Sequence, residues 1–340
     1  NQITNRWLEL ENKRHLLYDQ LLDDHRGPIT KTELINNFLF AIGYGINSQF
    51  SSSYISLWDL ESGRYDRISL SDEHEQEPIA IKSFCVSACD NNSISIVCGL
   101  DNCKIIKIQY NITYKKIETQ QPISIQHSNE NPLKIQDIRH CSGTIICSIG
   151  EYASDRNRRV SDNEAGSQPV YPQNNYLYVF TDDSTDPRII DTKKIVNCIE
   201  IYKENVLLGC KDGTIGVFNI QNQNPQYKEI HKNSVNCIAI QNNGVATSGD
   251  DKGYICRWMI DPFIDLKNAF DLINKNYERK ALFSLIHYTG NDNAQYLIAA
   301  GSGDLYLIKD ISERPKIFRV LFLTHKKKIS SLIILNGRYL

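Results

Sequence analysis

The side chains able to do acid–base or metal chemistry in this 340-residue chain are scattered rather than clustered. The histidines stand at positions 15, 25, 74, 127, 140, 231, 287 and 325, each in a different stretch of chain. None sits with cysteine at zinc-ligand spacing, and the ten cysteines include no Cys-x-x-Cys pair. Cys85 and Cys89 fall on one face of one predicted strand, ~13 Å apart, too far for a bridge. Cys198 and Cys237 occupy one slot of a repeat, as small core residues do. Reduced core thiols imply a reducing, cytoplasmic compartment with no metal and no cofactor. Gly249-Asp250-Asp251-Lys252-Gly253 has the glycines of a phosphate cradle, but it joins strand to strand, whereas the cradle needs a helix behind it. Gly301-Ser302-Gly303 is the same kind of turn and not a nucleophile elbow.

The elements that hold these residues explain the scatter. Val196-Asn197-Cys198-Ile199-Glu200-Ile201 returns as Val235-Asn236-Cys237-Ile238-Ala239-Ile240. Behind each copy come a polar hairpin, a short apolar run reaching Gly and Asp (Asp212, Asp251), and an alternating strand closing on Phe218 or Trp258. A period of roughly 40 residues with this content is one blade of a β-propeller. Weaker copies contain Phe38–Gly43 with Tyr54–Leu60, Ser95–Gly99 with Ile105–Ile108, Ile145–Cys147 with Tyr176–Phe180, and Tyr296–Gly301 with Leu305–Ile308. Period-two alternation and β-branched enrichment predict strands throughout. The chain therefore reads as one all-β domain over 1–340, a seven-bladed β-propeller with six whole blades between 28 and 323. The seventh blade is shared by 1–24, with Trp7 in its aromatic slot, and by 325–340. Pairing the two ends closes the ring and removes the open sheet edge.

These repeats resemble the WD-repeat (Trp-Asp repeat) propeller family over the whole chain. Trp58-Asp59 is the one literal Trp-Asp pair, and His231, Ser248, Asp251 and Trp258 match the hydrogen-bonded set that braces blades of that family. Elsewhere the set is broken. Asp212 is followed by Phe218, which has no N–H; Asp101 precedes an aliphatic strand; and His325 opens the blade that ends at Trp7. The resemblance implies a non-catalytic platform for protein–protein interaction, since one fold hosts many jobs. The alternative is an enzyme, of hydrolase or lyase type, with its site around the central channel. Its mark would be several inward His or carboxylates within ~4–6 Å with shifted pKa values, where an apolar or mixed channel would speak against it.

A formal net charge of −2 gives no global pull toward nucleic acid or anionic lipid, and no apolar run approaches the ~18 residues of a spanning helix. The chain opens on Asn, which reads as a piece of a longer protein. The loops leading into successive first strands bring Arg26, Lys194, Lys232 and Lys326 to one face. That ring of cations, broken by the acidic loop of residues 72–77, suits an acidic or phosphorylated peptide or protein. Two segments depart from the repeat. Residues 151–175 form a polar insertion whose Arg158 and Tyr171 are of interface-enriched types. Apolar positions 263, 266, 270, 273 and 277 follow helical spacing behind Asp261-Pro262, which predicts a short rim helix over 263–277.

Overall fold

A computed structural model describes residues 29–44, 53–59, 62, 64–70, 80–90, 92–100, 102–125, 133–141, 143–151, 175–181, 186–221, 224–241, 243–261, 265–271, 281–289, 295–301, 305–309 and 316–321. All regular structure among them is β. The first sheet is β1 (Ile29–Ile35), β2 (Phe38–Tyr44), β3 (Ser53–Asp59) and β4 (Arg64–Ser69). The second is β5 (Ile81–Cys89), β6 (Ser93–Leu100), β7 (Lys104–Asn111) and β8 (Lys116–Ser124). The third is β9 (Leu133–Cys141), β10 (Thr144–Glu151), β11 (Tyr176–Thr181) and β12 (Arg188–Asp191). The fourth is β13 (Val196–Tyr202), β14 (Asn205–Cys210), β15 (Thr214–Asn219) and β16 (Gln226–Glu229). The fifth is β17 (Val235–Ile240), β18 (Val245–Asp250), β19 (Tyr254–Met259) and β20 (Asp265–Asp271). The sixth is β21 (Leu282–Thr289), β22 (Gln295–Gly301), β23 (Leu305–Lys309) and β24 (Lys316–Leu321). Every sheet is an antiparallel meander in sequence order, and the first strands of successive sheets lie side by side.

The core is a series of apolar seams between sheets rather than one centre. Phe40, Ile55 and Leu57 of the first sheet pack with Phe84, Ile94 and Ile96 of the second. Val206 and Leu208 of the fourth meet Leu177 and Ile190 of the third. This is why inner strands such as β14 are apolar on both faces.

Two features of the seams explain the repeated Val-Asn-Cys-Ile. Each first strand carries a β-bulge near its start, at residues 30, 82, 136, 197, 236 and 283. In the two best copies the bulged residue is the asparagine. Asn197 donates through Nδ2 to the Val235 carbonyl at 3.1 Å, and Asn236 donates to the Leu282 carbonyl at 3.1 Å. Both acceptors are the opening residue of the next sheet's first strand, so the repeated Asn ties each sheet to its successor. The second feature is a notch near the end of the second strand. A Cβ on Gly99 would lie 2.6 Å from Ile135, and one on Gly209 would lie 2.8 Å from Val235. Glycine at these places lets the next sheet's leading apolar side chain reach the seam.

The structure corrects the helix expected over 263–277. Residues 265–271 form β20, the fourth strand, pairing with β19 from Tyr254↔Asp271 to Met259↔Asp265; residues 262–264 and 272–280 lie outside the described part. The reason is backbone satisfaction: β19 would otherwise be a sheet edge, and a full ladder outweighs a loose apolar periodicity. The seventh blade from 1–24 and 325–340 lies outside the described residues, as does most of the 151–175 insertion.

Candidate functional site at the central cavity

All six first strands contribute to one cavity of about 590 Å³. The bulges turn Lys31, Ser83, Asp137, Cys198, Cys237 and Ser284 onto its wall, with Glu33, Arg139 and Glu200 deeper along the same strands. The wall is therefore two-sided: charged along the first, third and fourth sheets, and small or apolar along the fifth and sixth, where Phe283 and Leu285 join Cys237.

Asp137 is the centre of the charged side. Its Oδ1 accepts from Lys31 Nζ at 3.0 Å, Ser83 Oγ at 2.8 Å, the Ile138 N–H at 2.9 Å and Arg139 Nη1 at 3.3 Å. Its Oδ2 accepts the Ile199 N–H at 3.1 Å. One carboxylate thus joins four sheets. Arg139 continues the chain through Nη2 to Glu200 Oε1 at 2.7 Å, and Glu33 accepts the Val86 N–H at 2.8 Å. Burial works to raise the Asp137 pKa, but the Arg139 and Lys31 cations and the Ile199 N–H outweigh it and hold it down to about 2. Glu33 goes the other way: burial raises it, and Lys31 and Arg139 offset only part. The sequence contained no sign of this network, because its members lie on different sheets.

The bracing set in the fifth sheet has its expected histidine, serine and tryptophan and a different acid. Trp258 Nε1–H donates to Ser248 Oγ at 3.1 Å, and Ser248 Oγ lies 2.7 Å from His231 Nε2. His231 Nδ1 lies 3.4 Å from Asp250 Oδ2, so protons run from Trp258 through Ser248 and His231 to the carboxylate. Asp250, not Asp251, ends the relay. β18 extends one residue past Gly249, so Asp250 pairs opposite Val235 and faces the seam, while the next residue has entered the turn. Asp250 also accepts the Lys252 and Tyr254 N–H groups at 2.9 and 2.8 Å. In the fourth sheet the corresponding positions are Thr192, Leu208, Cys210 and Phe218, which is why no relay forms there. Trp258→Phe is expected to cost about 1–3 kcal/mol, because it strips a buried hydroxyl of its donor. Phe218→Trp should gain nothing, since Leu208 offers its N–H no acceptor. Equal tolerance at both sites in urea denaturation would refute the relay.

Of the cations expected on the loop face, Lys194 and Lys232 lie within the described residues, and Arg26, Lys326, Arg158 and Tyr171 lie outside them. Lys194 donates to Asp212 and sits 5.2 Å from the centroid of the Tyr227 ring, so its charge is already matched. Lys232 is exposed. The turns between second and third strands add Lys211 and Lys252 to the same face, both exposed. These two stand on turns within a sheet, whereas the expected cations stand on loops between sheets.

No family model matches the chain, and no curated protein matches it. Among solved structures it is similar to a chain of the structure titled "Crystal Structure of Mitotic Checkpoint Complex", at 12% identity and a TM-score of 0.58, covering 86% of this chain and 76% of that one. At that identity the likeness is one of fold, and with the repeated four-stranded antiparallel sheets it fits a β-propeller.

Proposed function

We propose that this chain is a non-catalytic docking module that presents the loop face around its central cavity to a protein or peptide with acidic or phosphorylated character. The observation that carries this is the exposed group Lys193, Lys211, Lys232 and Lys252, which four separate loops of the fourth and fifth sheets bring to one face. The cross-linked cavity wall supports it, because a face held rigid from beneath loses little entropy on binding. The similar solved structure is of a protein complex, which agrees with protein partners. The burial of Leu39, Ala41 and Trp58 on the side of the first sheet away from the second supports a closed ring.

The test uses acidic, phosphoserine-containing peptides and the full chain. Affinity should fall as salt rises, because exposed charge pairs are screened beyond ~8–10 Å. Charge reversal at Lys211, Lys232 and Lys252 together should weaken binding while leaving stability within about 0.5 kcal/mol per site. Lys194→Glu is a poor probe, since it also breaks the Asp212 pair. Salt-insensitive binding that survives the reversals would move the site to the 151–175 insertion or the segment after Trp258.

One observation favours a catalytic reading: a raised carboxyl, Glu33, and a depressed one, Asp137, line the same cavity, and such splitting is how one site holds an acid and a base. Against it, Asp137 is saturated by donors, and among the described residues no histidine lines the cavity. Turnover of any substrate by the isolated chain, abolished in Glu33→Gln, would replace the docking reading.

A further inference from the structure

Three seams between sheets share one rule at a pair of facing positions, and the seam of the second and third sheets breaks it. Val97 and Leu207 each stand two residues before a notch glycine, Gly99 or Gly209, and their third-strand partners are Lys107 and Val217. On the facing sheets, His140 and Ile240 hold matching places. Each pairs with a second-strand residue, Ile145 or Ala246, whose other partner is the closing aromatic, Phe180 or Trp258. Between the fourth and fifth sheets, Val217 and Ile240 pack in one apolar cluster. At the same register the pair is Leu57 and Val86 between the first and second sheets, and Val179 and Ile201 between the third and fourth, again within one cluster each. Between the second and third sheets it is Lys107 and His140, and there the seam opens into a cavity of about 400 Å³ that both side chains line.

The cavity crosses the whole second sheet. It runs from Ser87 on β5, past Ser95 on β6 and Gln109 on β7, to Thr119 and Gln121 on β8, which are exposed at the outer edge. Ser87 Oγ donates to the Ser95 carbonyl at 3.1 Å, and Ser95 Oγ donates to Gln109 Oε1. Both hydroxyls have therefore spent their protons and keep lone pairs, while the Gln109 amide keeps its Nε2 hydrogens. Lys107 adds a positive charge with three N–H donors. Among the described residues, no carboxylate lines this cavity.

We propose that this cleft binds a small hydroxylated phosphate monoester, of the sugar-phosphate class. An ammonium and an imidazole stand where three other seams have aliphatic side chains, and such breaks of a local rule mark functional sites. The charge on Lys107 is a compact point charge, which suits a phosphate better than a planar carboxylate. His140 brings an N–H to the same cavity in either protonation state. The serine oxygens call for O–H donors, which a sugar supplies and a bare anion lacks. The volume equals that of about a dozen waters at ~30 Å³ each, and it falls within the ~300–1,000 Å³ of small-molecule pockets. Ser87 and His140 stand near the ends of β5 and β9, whereas Lys193 and Lys232 precede the starts of β13 and β17. The cleft is thus separate from the loop face, and its ligand does not depend on the docking reading.

The test is isothermal titration calorimetry of the full chain with ribose 5-phosphate. A dissociation constant below ~1 mM is expected, with ribose and inorganic phosphate each weaker by about tenfold or more. Crystals soaked in the ester should show it between Lys107 and His140. Lys107→Leu, which installs the side chain of the first seam, should weaken binding by at least about tenfold and leave the melting temperature equal or higher. Inorganic phosphate or ribose binding as tightly as the ester would overturn the proposal, the first by removing the role of the hydroxyls and the second that of the phosphate. Binding retained in Lys107→Leu, density only elsewhere, or no binding at all would overturn it as well. A phosphoserine peptide that binds more tightly than the ester and is lost in Lys107→Leu would assign the cleft to a protein partner instead.

Discussion

Replacing Asp137 by Ala is expected to destabilise the protein by about 3 kcal/mol, because it leaves two part-buried cations, Lys31 and Arg139, without their shared partner. It also orphans Ser83 and the Ile199 N–H, and so loosens the first four sheets together. The pH dependence is the sharper reading. A carboxyl held at about 2 in the fold, against 3.8 for the free group, contributes stability that is fully present above the unfolded value and is lost as pH falls from about 4 toward 2. That contribution is on the order of 2 kcal/mol. Glu33 opposes it, since its raised carboxyl favours the fold when protonated. Urea denaturation across this range should give a steep acid limb in wild type and a shallower one in Asp137→Asn. Identical limbs would show that the network around Asp137 does not contribute to stability.

Gly99→Ala is expected to cost about 1–3 kcal/mol, a large effect for one methyl group, because the new Cβ would lie 2.6 Å from Ile135 Cγ2 with the rest of that side chain at 3.1–3.3 Å. Ile135→Ala alone should cost about 2–5 kcal/mol through the cavity it leaves. The two changes share one volume. The double variant should therefore be more stable than the sum of the singles predicts, with a coupling of about 0.5–3 kcal/mol. A strictly additive result in denaturant titrations would mean that notch and key do not meet. The same test at Gly209 is less clean, because Cys198 and Val235 both crowd that site.

What the sequence determined by itself is the blade. A repeat of roughly 40 residues, alternating strands and turn residues at the breaks fix local structure, because strand pairing within a meander is short-range. Hence the second strands Phe38–Gly43 and Tyr296–Gly301 were legible as they stand within β2 and β22, and so were His231, Ser248 and Trp258. The acid of that set was misassigned by one residue, because only the pairing of β17 with β18 decides that Asp250 faces the seam. The rim helix failed for a related reason: period 3.6 is a statement about one segment, and β19 needed a partner across its edge.

What the tertiary structure alone decided is everything that lies between sheets. Asn197 reads as a polar residue in a strand until the Val235 carbonyl is placed beside it. Lys194 reads as a loop cation until Asp212 meets it. Lys31, Ser83, Asp137 and Glu200 are strangers in sequence, and they become one network because six bulged first strands face one cavity. A repeat writes its own blade into the sequence, but the contacts from sheet to sheet depend on where the fold brings each copy, and no short window of sequence contains both partners.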